Sequence, residues 1–332
     1  MKTKAAVLRN IGGPLIIEEL EIPKLGFGQV LVKILYSGLC RSQLNEIKGW
    51  KGKDHIPHLL GHEASGEVLE IGDSVSKVRP GDYVVCSWIK GAGLDVPLIK
   101  YRAGDGSVVN AGAVATFSQY AVISENRLVP VSRKIGGEVA ALLGCAVPTG
   151  AGVVDHSDIP LGSKLAIFGI GGIGASALLK ALSLKIRCFA IDVAQWKLDW
   201  AEKIGSVAIH FDHVKKYAPF DSAVECSGSR TAMEAAINLT KSDGAVIVAG
   251  NLEPGEKIAI DPFDLVKGKR ISGTWGGGCF LDDDIPRYAS EYLFGYLSLE
   301  NLITRIYSFE KINLGLAELN CGELIRGIVK IS

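Results

Sequence analysis

Two groups of residues in this 332-residue chain carry side chains and spacings suited to chemistry. The first is Gly169-Ile170-Gly171-Gly172-Ile173-Gly174, a G-x-G-x-x-G run that follows an apolar strand pattern and opens a helical one. In a chain with 40 glycines the pattern alone says little, and its context carries the weight. Gly169 allows a tight turn, Gly171 lets the backbone approach a pyrophosphate, and Gly174 lets the helix lie close to the strand. The free N–H groups of a helix N-terminus favour phosphate. Asp192 ends the next strand and can accept hydrogen bonds from ribose hydroxyls. Its charge repels a 2′-phosphate, so NAD is expected over NADP. Lys197, on the helix that follows, reaches toward the same ribose. The plainer alternative is a glycine-rich turn packing a helix on a strand, with Asp192 as a helix cap. The second group is Cys40, His62 in Gly61-His62-Glu63-Ala64-Ser65-Gly66, and Cys145. Thiolate and imidazole are ligands that zinc prefers, and three of them with an open fourth position make a catalytic site. Seven cysteines and six histidines offer many such triplets, so spacing alone also allows ordinary buried thiols and a surface turn.

The elements that must hold these residues fall into two regimes. Residues 1 to about 155 read as short β-type runs separated by Gly, Pro and Asp, for example Gln29 to Ile34, Gly66 to Ile71 and Tyr83 to Cys86. The glycine-rich segment 87–115 reads as a surface lobe or long loop. From about 162, buried strands alternate with helices, which implies a parallel sheet covered on both faces. The alternation fades after about 290.

Composition narrows the function. Lys+Arg and Asp+Glu each total 36, so no net charge points to a nucleic-acid partner. Hydrophobic residues at 48% and charged residues at 22% describe a globular chain. An odd number of widely spaced cysteines fits reduced thiols, and no signal-peptide pattern appears, so a cytoplasmic protein is expected. No apolar run reaches the ~18–20 residues of a membrane span, so no membrane partner is expected.

With these residues in view, the chain resembles the zinc-dependent medium-chain alcohol dehydrogenases. Gly61-His62-Glu63, Gly66, Gly72 and Val75 match that family's zinc signature. Cys40-Arg41-Ser42, Trp88, Thr116 to Tyr120, Gly144-Cys145 with Thr149-Gly150, the glycine fingerprint, Phe309 to Asn313 and Gly322 to Gly327 follow in the family's order. The resemblance implies an α/β fold: a GroES-like, mainly-β catalytic domain (1–155) interrupted by a Rossmann dinucleotide-binding domain (156–289), with 290–332 returning to the first. It implies Cys40, His62 and Cys145 as ligands of one catalytic zinc. Glu63 would approach the metal in place of water, and Ser42 would take the alcohol proton. Arg41 and Arg326 would bind the cofactor pyrophosphate, Thr149 and Ile173 would pack near the nicotinamide, and Gly172 belongs to the cofactor turn. Trp88 and Phe117 would line the substrate pocket. The implied reaction is NAD-linked interconversion of a small-molecule alcohol with its aldehyde or ketone, in a homodimer or homotetramer. A polyol or sugar-derivative dehydrogenase and a non-catalytic NAD sensor are the alternatives; polyol-type relatives usually carry Glu where Cys145 stands. The chain also departs from the family. The lobe from Ile89 to Val114 has no cysteine, so no structural zinc is expected there. Gln43 stands where Asp is frequent, and Asn45 where some members place a proton-relay histidine.

Overall fold

The computed structural model describes residues 1–157, 159–160 and 162–332. The chain divides into two compact units. One comprises Met1–Cys145, Phe280–Gly295 and Ile303–Ser332, the other Ala146–Cys279 and Tyr296–Leu302. The first break falls ahead of the 155/156 boundary read from the strand pattern, because the helix Ala146–Asp155 packs on the helix Gly172–Ser183 of the second unit. The helix Leu281–Leu293 belongs to the first unit.

The first unit is β-rich. Five strands, Lys2–Leu8, Leu15–Glu21, Ile99–Ala103, Val108–Gly112 and His58–Leu59, close into a barrel. A seven-stranded sheet has the strand Gln29–Leu39 near its middle, paired with Glu63–Ile71, Tyr120–Ser124 and Arg326–Lys330. The segment 87–115, expected to be loop, supplies two barrel strands. Ile99–Ala103 alternates buried and exposed residues along its length, as a strand with one wet face does. Its glycine-rich surroundings and its Lys and Arg on the outer face obscure that alternation in the sequence. The barrel and sheet share one apolar core, in which Phe117, Leu39, Leu60 and Leu316 are buried.

The second unit contains a six-stranded, wholly parallel sheet. Its spatial order is Val207–His210, Arg187–Asp192, Lys164–Phe168, Phe220–Glu225, Thr240–Val248, Arg270–Gly273. This is the doubly wound order, and it places a crevice at the C-terminal ends of the strands beside Lys164–Phe168. Leu165, Ala166, Ile167 and Phe168 are all buried, as a strand covered on both faces requires. The expected α/β class, a β-rich domain with a Rossmann domain, is the one observed.

Candidate functional site

In the first unit, one atom each from Cys40, His62, Glu63 and Cys145 lies within 4.8 Å of all the others. Three elements bring them there. Cys40 follows the strand Gln29–Leu39 and caps the helix Arg41–Ile47. Glu63 opens the strand Glu63–Ile71, with His62 just before it. Cys145 lies in the turn ahead of the helix Ala146–Asp155. The pairing of Ser37 with Ala64 in antiparallel register keeps the first two elements side by side. Two glycines make room for Glu63. A Cβ on Gly38 would lie 2.5 Å from its Cδ, and one on Gly144 would lie 2.8 Å from its Cβ.

His62 turns Nε2 toward Cys145 Sγ, at 3.3 Å. Two ligands on one tetrahedral zinc, at ~2.3 Å for sulfur and ~2.0–2.1 Å for nitrogen, stand about 3.5 Å apart. The donor set therefore fits zinc in both spacing and chemical type. On the other side of the ring, Nδ1 faces Gln43 Nε2 at 3.0 Å and Ser42 Oγ at 3.5 Å. Gln43 is wholly buried, and its Oε1 accepts the Cys40 backbone N–H at 2.6 Å. This is the side-chain half of a helix capping box, and it fixes Cys40 at the helix start.

The thiols sort by their surroundings. Burial pushes the Cys86 and Cys226 thiols up, and Cys188 up to about 12. Cys40 goes the other way. A hydrogen bond from Cys145, then those from His62 and the charge of Arg326, hold it well below the ordinary range against the effect of burial. A thiol held low is primed to ligate as thiolate.

Arg326 was expected at the cofactor pyrophosphate. It is 3% exposed, and its guanidinium forms an ion pair with the fully buried Glu63. Burial lowers its own pKa, and Cys40 partly restores it. The pairing follows from strand register: Gly327 lies opposite Leu39, one residue before Cys40. Of the other expected residues in this unit, Arg41 and Ser42 are exposed at the start of their helix. Trp88 is half-buried, and its carbonyl accepts from Arg127. Phe117 is buried in the barrel core, its carbonyl bonded to the Ala6 N–H.

The second unit carries the glycine turn. Gly169 has φ of +88°, a conformation that penalises any Cβ. A Cβ there would also lie 2.6 Å from Ser227. At Gly174 a Cβ would collide with the Gly169 carbonyl, so the helix can start this close to the strand only with glycine. In front of Gly171 nothing lies within 4 Å of a Cβ position, and the helix Gly172–Ser183 has no side-chain cap. Its first N–H groups, on Gly172, Ile173 and Gly174, are thus available to an anion. Asp192 also holds backbone. Its Oδ2 accepts from Ile170 N–H at 2.7 Å, and its Oδ1 accepts from Val193 and Ala194 at 2.8 and 3.0 Å. It therefore ties the glycine turn to the next helix, and it retains lone pairs for a ribose. Lys197 lies over the Trp196 ring, 5.5 Å from its centroid. The Thr149 Oγ1 is buried without a hydrogen-bond partner, as befits a hydroxyl reserved for a bound molecule. These features fit a dinucleotide.

Comparison with known proteins agrees with both halves. Residues 26–133 match the alcohol dehydrogenase GroES-like domain, and residues 172–293 match the zinc-binding dehydrogenase domain. The chain is 32% identical to the NDMA-dependent alcohol dehydrogenase of Amycolatopsis methanolica, with 99% of each chain covered. A crystal structure of an alcohol dehydrogenase zinc-binding domain protein from Burkholderia ambifaria superposes with a TM-score of 0.92 at 26% identity, over 100% of this chain and 99% of that one. Benzyl alcohol dehydrogenase from Acinetobacter calcoaceticus does so with a TM-score of 0.89 at 25% identity, over 100% of both. With the ligand cluster, the glycine turn and these relatives together, the chain belongs to the zinc-dependent medium-chain alcohol dehydrogenase family, oxidoreductases acting on CH–OH groups.

Proposed function

We propose that this chain interconverts an alcohol with its aldehyde or ketone, using NAD and one zinc ion held by Cys40, His62 and Cys145. The observation that carries the reading is the convergence of two thiols and an imidazole nitrogen on one point of the β-rich unit. When bound, zinc supplies Lewis-acid polarisation of a substrate oxygen, and the nicotinamide supplies a hydride acceptor.

The remaining tasks fall to side chains. Cys40 and Cys145 ligate as thiolates, and the low pKa of Cys40 favours that form. Glu63, ion-paired with Arg326 beside the ligands, is the carboxylate that would take a ligand position in exchange for water. Ser42, exposed and hydroxyl-bearing beside His62, accepts the substrate's proton. With Asn45 in place of a histidine relay, that proton leaves through water and cofactor ribose. Trp88 borders the substrate. Arg41 binds cofactor phosphate, as do the N–H groups of Gly171, Gly172, Ile173 and Gly174. Thr149 orients the nicotinamide, while Asp192 and Lys197 bind the adenosine ribose. Cys145, rather than the glutamate of polyol-type relatives, favours a simple alcohol as substrate. A homodimer or homotetramer is the proposed assembly.

The test is a panel of alcohols followed by NADH absorbance, with and without a zinc chelator. Chelation should abolish turnover, and Cys40→Ser should lose zinc and activity together. Full activity in metal-free protein would overturn the mechanism.

A further inference from the structure

We propose that Gln43 sets how tightly this chain holds zinc, by presenting a hydrogen-bond donor where the zinc-loaded histidine presents another. The inference rests on the reading of Cys40, His62 and Cys145 as zinc ligands.

Gln43 is wholly buried and its amide has a fixed direction. One end lies 2.6 Å from the Cys40 backbone nitrogen, which can only donate, so that end is the carbonyl oxygen. The NH2 end is then the one 3.0 Å from His62 Nδ1. The other ring nitrogen, Nε2, faces Cys145 Sγ and so belongs to the ligand cluster. A neutral imidazole has one N–H. With Nε2 ligating, that N–H is at Nδ1 and needs an acceptor. It meets the Gln43 NH2 group instead. Two responses are open. Gln43 can turn its amide and surrender the Cys40 N–H, or the histidine can rely on Ser42 Oγ at 3.5 Å, beyond good hydrogen-bond range. Either response weakens the loaded state.

A carboxylate of the same shape has no such conflict. One oxygen would accept from Cys40 and the other from His62. Supporting groups of this kind are worth ~10–100-fold in metal affinity.

The experiment measures zinc affinity of the full chain by competition with a chromophoric chelator, independently of turnover. Gln43→Glu is expected to bind zinc ~10–100-fold more tightly than the natural chain. A purely structural role for Gln43 predicts no such gain, and equal or weaker binding by folded Gln43→Glu overturns the proposal. Should that variant fail to fold, Gln43→Ala decides the matter. Zinc binding tighter than that of the natural chain supports the proposal, and equal or weaker binding overturns it. Stoichiometric zinc with unchanged affinity defeats this inference alone. Absence of zinc from every variant defeats the ligand assignment as well.

Discussion

His58 is half-buried beside Glu46 and Lys51, with its Nδ1 3.5 Å from Glu46 Oε2. Burial lowers its pKa to about 4, Lys51 and His55 add to the effect, and Glu46 opposes it. The unfolded chain, with its histidine near 6.5, therefore takes up this proton at a higher pH than the folded one does. The resulting stability is complete above pH 6.5 and declines as pH falls toward 4. Between pH 8 and pH 5 the loss from this residue is about 2 kcal/mol. Urea denaturation at the two pH values should show that difference shrinking in His58→Gln. An unchanged difference would remove His58 as its source. At this scale the sequence reveals residue types better than partners. Cys40, His62 and Cys145 announce themselves by chemistry. The ion pair of Glu63 with Arg326 joins two ends of the chain that only strand register brings together, so an arginine assigned to phosphate turns out to face a carboxylate. The bond from Cys40 to Gln43 was legible in principle, since Gln three residues after a helix cap is a capping-box position.

At the scale of elements, the lobe after Trp88 shows how a loop can be held without metal ligands of its own. Glu125 follows the strand Tyr120–Ser124 and is fully buried. Its carboxylate accepts the backbone N–H groups of Ser76, Lys77 and Leu94 at 2.6 to 2.7 Å. Ser124 adds bonds to Val96 N–H and the Leu94 carbonyl. Burial alone would raise the Glu125 pKa, but the three N–H groups outweigh it and the net direction is down. Its contribution is thus present above about pH 4.3 and disappears as pH falls through the lower folded value. Glu125→Gln turns an NH2 group toward backbone donors and should cost about 1–3 kcal/mol in urea denaturation. Cleavage of the 90–96 segment by protease should accelerate in parallel. A variant as stable as the parent would show that the lobe is held elsewhere. This arrangement was hidden in the sequence because the lobe's strands are five residues long and glycine-rich, and its anchor lies about 30 residues downstream. The parallel sheet was legible, because strands buried on both faces leave continuous apolar runs such as Leu165 to Phe168.

At the scale of the molecule, cofactor choice becomes a measurable stability. Asp192 already binds three backbone N–H groups, so its position at the strand end is fixed before any ligand arrives. A fixed carboxylate meets a ribose diol without reorganisation and repels a phosphate ester at the same place. NAD at 100 times its dissociation constant should stabilise the protein by about 2.7 kcal/mol. The thermal midpoint should rise accordingly, and NADP at the same concentration should raise it less. Equal shifts for the two nucleotides would remove the discriminating role from Asp192. No helix among the described residues is long and apolar enough to cross a membrane.

The strand Arg326–Lys330 lies between Gln29–Leu39 and Ile303–Ser308, and it delivers the counter-ion of Glu63. Synthesis runs from the amino end, so Cys40, His62, Glu63 and Cys145 all leave the ribosome long before Arg326 does. During that interval Glu63 lacks the arginine it pairs with, and the strand Gln29–Leu39 has an unfilled edge nearby. The centre is therefore finished only once the strand Arg326–Lys330 has been made. A chain truncated ahead of Arg326 holds Cys40, His62 and Cys145 and lacks the cation that pairs with Glu63.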